Sequence, residues 1–146
     1  AFDDDGVATH DRELIKAGEV QGYLLSTYSA RKLGMQTTGN AGGAHNLRVA
    51  LGQHNLAGLL RKMGRGLLVT ELMGQGVNYV TGDYSRGAAG YWVENGKIAY
   101  PVAEITIAGN LRDMFANVVA IGNDADTRGS KHVGSILISQ MTVAGS

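Results

Sequence analysis

The sequence predicts an α+β fold, a largely antiparallel β-sheet with about three short helices. Two segments of the 146-residue chain place apolar residues at i, i+3, i+4 and i+7 behind an asparagine suited to capping, the mark of one-sided helices. Strand-forming stretches are joined by short glycine-containing turns, among them Asn95-Gly96, a pair that tolerates positive φ at both residues. Such hairpins outnumber the helical crossovers that parallel strands require, which favours antiparallel pairing.

The elements follow in order. Thr9 to Tyr28 reads as a hairpin in which Leu14, Ile15, Val20, Tyr23 and Leu24 flank the turn Lys16-Ala17-Gly18-Glu19. A short helix is expected over Ser29 to Leu33, stopped by Gly34. Residues 35–46, rich in Gly, Thr and Asn, form a loop. The clearest helix spans 56–63, with Asn55 as cap and Leu56, Leu59, Leu60 and Met63 facing the core. Gly64 and Gly66 end it before a buried strand from Leu67 to Leu72. A further helix repeats the spacing with Leu111, Met114, Phe115 and Val118 behind Asn110, before strands near 118–122, 133–139 and 141–144. Ile15 to Val20 also aligns with Val93 to Ile98, and each hairpin precedes a helix; a duplicated hairpin-helix unit and a coincidence of two hairpins both fit.

Composition removes several functions. There are 13 basic and 13 acidic residues, and only Arg61, Lys62 and Arg65 cluster, so the chain lacks the basic footprint of direct nucleic-acid binding. No cysteine is present, which excludes disulfides and thiolate chemistry. A mean hydropathy of -0.07 and the lack of any run near ~18 apolar residues give no membrane span. The start AFDDDG has no initiator Met and no basic-then-apolar export segment, so a fragment of a longer, cytoplasmic protein is expected, and its 146 residues fit one domain.

No catalytic or metal-binding set emerges. His10, His45, His54 and His132 form no His-Glu-x-x-His pair, and Asp3, Asp4 and Asp5 lack the ligand spacing of a calcium loop and read as a solvated terminus. His45, in its glycine-rich loop, is either a ligand contact or an exposed side chain. Gly39 to Gly43 lacks the Lys-Ser/Thr ending of a phosphate loop. Ser85 lies outside a Gly-x-Ser-x-Gly elbow and reads as a turn residue. Arg86, among glycines, is placed to pair with a carboxylate, such as a peptide carboxy terminus, or else with Asp83 or a neighbour.

The most informative stretch is Leu68 to Gly96, with glycines at 74, 76, 82, 87, 90 and 96 among strand-forming residues. Irregularly spaced glycines in strands mean bends, bulges or close backbone approach. An extended peptide needs main-chain partners and little side-chain obstruction, so Gly74, Gly76, Tyr84, Ser85, Arg86, Gly87 and Gly90 are the candidate peptide- or partner-binding residues.

Five blocks carry a family likeness: FDDDGVAT at 2–9, LLSTYSARKLGMQTTGNAGGAHN at 24–46, LLVTELMGQGVNYVTGDYSRGAAGYWVENG at 67–96, PVAEITIAGNLRDMFANVVAIGND at 101–124, and the ending GSILISQMTVAG. Together they resemble the carboxy-terminal part of the PmbA/TldE branch of the TldD/PmbA family, which includes proteins linked to DNA gyrase. The resemblance implies a metallopeptidase assembly in which a TldD-like subunit pairs with a TldE-like one and cleaves unfolded peptides. TldD-like subunits hold zinc with a His-Glu-x-x-x-His helix and a cysteine, and this chain has neither, so no catalytic or metal residue carries over. The expectation is a noncatalytic portion of such a complex, with zinc in the partner subunit. A homomeric zinc peptidase with ligands upstream and a gyrase-linked regulator are the alternatives, the last disfavoured by the neutral charge.

Overall fold

A computed structural model describes residues 1–145, which form two compact units, Ala1–Leu47 and the segment from Arg48 onward. The class is the expected one: mixed helix and strand, with antiparallel ladders in the main sheet.

The first unit holds β1 (Ile15–Lys16), β2 (Glu19–Val20) and α1 (Thr27–Lys32). The hairpin is shorter than expected, since only two residues on each side pair, and Ile15, Val20 and Tyr23 are exposed. α1 begins earlier than Ser29 because Ser26 and Ser29 form a reciprocal capping box. It ends as foreseen. Gly34, at φ 65, lets its own N–H reach Arg31 O at 3.2 Å and the Met35 N–H reach Ala30 O at 2.8 Å, the paired bonds of a Schellman stop.

The acidic start is not a solvated terminus. Asp3 is buried, and its carboxylate accepts from the backbone N–H of Val7 at 2.8 Å, Asp5 at 3.0 Å and Ala41 at 2.9 Å. Asp5 accepts from the N–H and hydroxyl of Thr27 at 2.8 and 2.7 Å, placing a negative charge at the start of α1. The clasp thus ties the amino end to the 35–46 loop. The Ala41 amide first, then those of Val7 and Asp5, hold the Asp3 carboxyl below its usual value of 3.8. A depressed folded-state pKa contributes stability that is complete above the unfolded value and lost as pH falls through the folded one. Asp3→Asn is therefore expected to destabilise the full-length protein at pH 7, with the gap to wild type closing below about pH 3.8, as urea unfolding across pH will show.

β3 (Leu47–Arg48) falls at the boundary between the units. The second unit continues with α2 (Leu56–Met63), β4 (Gly66–Met73), β5 (Asp83–Glu94), β6 (Lys97–Asn110), α3 (Leu111–Ala116), β7 (Val118–Ile121), β8 (Lys131–His132), β9 (Ile136–Ile138) and β10 (Thr142–Ala144). Four strands form one sheet in the order β10-β6-β5-β4, with Val143 opposite Ile107, Ala88 opposite Ile105, and Leu72 opposite Ala88. Ala88, Ile105 and Ile107 are its buried centre, covered by Leu67, Val69, Tyr84, Val102 and Met141. β4 is half-buried only in its first half and exposed from Thr70 on, because it is an edge strand rather than the buried one its apolar run suggested.

Caps behave as read. The Asn55 side chain accepts from Gly58 N–H at 2.9 Å, and the Asn110 side chain accepts from Arg112 N–H at 3.0 Å. Two stripes are less complete: Leu56 is 37% and Phe115 75% exposed. α3 ends at Ala116, so Val118 starts β7 instead of extending a helical face over Phe115. The expected strand at 133–139 narrows to β9, with β8 separate.

The likeness between hairpins is one of turns. Ala17-Gly18 and Asn95-Gly96 both have positive φ at both positions, whereas the β1–β2 ladder has two residues per strand and the β5–β6 ladder runs the length of two long strands. Gly96 has a further duty: its N–H donates to Gly64 O at 2.7 Å, and a Cβ there would sit 2.8 Å from Arg61 Cα.

Candidate functional site: a groove on the long hairpin

One face of the sheet does not close. Between it, α2 and the β9–β10 segment lies an open groove of about 710 Å³, walled by Leu59, Leu60 and Met63 of α2, Leu67 and Val69 of β4, and Leu137 of β9. Tyr84, Trp92 and Ile107 line it from the sheet. α2 arrives there through the stripe read from the sequence, and it is fixed at its far end by the Gly64–Gly96 bond. Arg65 lies 5.6 Å above the Trp92 ring, and the indole N–H reaches Glu94 at 3.2 Å, so the indole is held from two sides.

The opposite wall is positioned by Asp124. Its carboxylate accepts from the Ser135 hydroxyl at 2.7 Å and the Ser135 N–H at 2.9 Å, and Ser135 itself borders the groove. These two bonds, the hydroxyl's first, lower the Asp124 pKa against the opposing effect of desolvation.

The seven candidate residues do not form one cluster. Ser85 and Arg86 lie in β5, not in a turn. Side chains alternate along a strand, so Tyr84, Arg86 and Ala88 share the groove face while Ser85 and Gly87 point to the other side, opposite Ala108 and Thr106. The expected Arg86–Asp83 pair does not form for the same reason, since residues three apart on a strand face opposite ways. Asp83 instead accepts from the Thr81 hydroxyl at 2.6 Å.

The glycines sort by physical cause. A Cβ on Gly76 would fall on the Ser85 carbonyl oxygen, and one on Gly90 on the Leu68 carbonyl oxygen, so both serve close backbone approach. Gly90 also sits where the ladders to β4 and β6 slip register, the bulge expected of glycine in a strand. Gly74 turns the chain at φ 74 with open space around it. Gly87 is different: its Cβ would make ordinary contact with Met73 at 3.4 Å.

Leu59, Leu67, Trp92 and Leu137 were not singled out as site residues, although the α2 stripe and the chain's sole tryptophan were visible signals. His45 is exposed, and the Asp3 carboxylate feels its charge weakly. Among the described residues no group of three or more His, Asp or Glu is placed to hold a metal ion. No helix among them is long and apolar enough to cross a membrane.

Fold and groove define the class: an α+β domain built on a long, bulged, glycine-rich hairpin with one open apolar face. The family model described as the PmbA/TldA metallopeptidase C-terminal domain matches residues 1–145. Metalloprotease PmbA of Escherichia coli O157:H7 is 58% identical over 144 residues, covering 99% of this chain and 32% of that protein. Two crystal structures share the fold. A Thermotoga maritima protein described as a candidate modulator of a DNA gyrase superposes with TM-score 0.88 at 38% identity, covering 98% of this chain and 35% of that one. A Bacteroides thetaiotaomicron protein described in the same way gives 0.91 at 35% identity, with 99% and 33% covered. The chain belongs to the PmbA/TldD metallopeptidase family. It spans about a third of the length of these relatives.

Proposed function

We propose that this chain is a noncatalytic portion of a TldD/TldE-type metallopeptidase assembly, and that its groove holds an extended stretch of unfolded peptide. The hydrolytic zinc belongs, on this reading, to the TldD-like partner subunit. The observation that carries it is the groove itself: apolar walls of Leu, Met and Val beside an edge strand. Apolar walls accept many side chains, and an edge strand offers main-chain donors and acceptors, a combination suited to sequence-tolerant binding of unfolded chains. Family membership supports the peptidase setting.

Site-specific photo-crosslinking tests the location. Ile136→p-benzoylphenylalanine places a probe at a groove-lining residue that is 47% exposed, and Tyr100→p-benzoylphenylalanine places one at a 51% exposed residue outside the groove wall. In the full-length protein assembled with its TldD-like partner, an unfolded peptide is expected to be captured at Ile136 and not at Tyr100. Capture of the partner subunit at Ile136, in place of peptide, assigns the groove to the subunit interface.

A further inference from the structure

Arg86 is the anomalous residue of the groove face. It stands opposite Ile107 and two residues from Tyr84 and Ala88, an apolar setting for a guanidinium. Its Nε is buried with no hydrogen-bond partner. Neither Lys16–Glu13 nor Arg128–Asp126, ion pairs among the described residues, involves it, and Asp83, its nearest carboxylate in sequence, lies on the other face and is engaged by Thr81. A buried donor on a permanently charged group without an acceptor is costly, so a guanidinium that turns outward to meet an acceptor sheds a standing penalty.

The surroundings point to the kind of acceptor. Tyr84 and Ile107 both line the groove, but Arg86 is not itself in its wall, so it meets an occupant at the margin and not along its length. The β4 ladder stops at Met73 opposite Gly87, the chain turns at Gly74, and it rejoins β5 at Gly76, whose carbonyl accepts from the Ser85 N–H at 2.7 Å, and at Val77, bridged to Tyr84, so glycines border the stretch of edge next to Arg86. We propose that Arg86 anchors the free carboxy-terminal carboxylate of a peptide whose preceding residues lie in the groove. The planar guanidinium matches a carboxylate in a two-bond fork, and a chain end fits a margin where the groove stops. This rests on the peptide reading above and adds to it the polarity of the bound chain and a preference for free carboxy termini.

The test measures binding of labelled unfolded peptides, by fluorescence anisotropy, to the full-length protein assembled with its partner. One peptide is used as the free acid, as its carboxy-terminal amide, and as an amide bearing an Asp side chain one residue from the end. The free acid is expected to bind about tenfold to a hundredfold more tightly than the amide, the range of hydrogen bonds to charged groups. Arg86→Gln erases that difference, and Arg86→Lys keeps part of it. Equal binding of acid and amide to the wild type overturns the proposal with no variant needed. So does a preference that survives Arg86→Gln, an Asp-bearing amide that matches the free acid, or loss of partner association in Arg86→Gln. Peptide binding that responds to groove substitutions but not to the terminus would refute the anchor alone, whereas indifference to groove substitutions would refute the peptide reading.

Discussion

Gly90→Val is expected to destabilise the protein by about 3 kcal/mol, while Gly87→Ala, three residues away, stays within about 0.5 kcal/mol of wild type or gains slightly. The contrast comes from what each new carbon meets. At Gly90 it falls on the Leu68 carbonyl oxygen, with the Leu68 carbonyl carbon 2.9 Å and Val69 Cα 3.0 Å away, all backbone atoms that cannot swing aside. Relief requires β4 to move off β5, and β4 contributes Leu67 and Val69 to the core cluster. At Gly87 the nearest atoms belong to the Met73 side chain, a flexible neighbour at van der Waals distance. Urea unfolding of the full-length protein, followed by far-UV circular dichroism, measures both. Equal midpoints for the two variants would mean that the close approach at Gly90 is not a constraint on the sheet.

This sorting also decides which glycines can report on function. Gly76 and Gly90 are fixed by the fold, so a lost activity in their variants says nothing specific about a ligand. Gly87 can be enlarged at little cost to the fold, and Arg86 and Leu72 present side chains on the groove face. Functional tests of the groove belong at Arg86 and Leu72, with Gly87, on the other side of the sheet, as a tolerant control.

What could be read in advance was local. The Asn55 cap, the Leu56-to-Met63 stripe and the Asn95-Gly96 turn are each decided within a few residues, and each appears where expected. Glycines in the 68–96 stretch were read as marking bulges or close approach, and Gly90 does both. Asp3 was misread because its partner Ala41 lies 38 residues away, and a carboxylate satisfied at that range looks like a solvated one in sequence. The pairing of Arg86 with Asp83 failed on the facing of a strand, which could be judged only once Ser85 was known to lie in β5 and not in a turn. The candidate residues lie on β5 and the turn before it, whereas the main walls of the groove come from α2 and β9, brought there by tertiary packing that no local pattern specifies.

Leu72→Asp should act on binding more than on folding. Register places Leu72 opposite Ala88 on the groove face, it borders the groove, and yet it remains 42% exposed. A peptide lying in the groove covers the exposed part of that side chain, which contributes roughly 0.6–1.3 kcal/mol, the corresponding share of burying a whole leucine. Replacing it by a carboxylate removes that gain and adds the cost of desolvating a charge. The most direct measurement of the peptide-binding account is therefore the affinity of a labelled unfolded peptide for the full-length protein assembled with its TldD-like partner, wild type against Leu72→Asp, with co-elution of the two subunits checked by gel filtration. The account predicts binding weakened by about tenfold or more with the assembly intact. Unchanged peptide affinity in an intact Leu72→Asp assembly would contradict it.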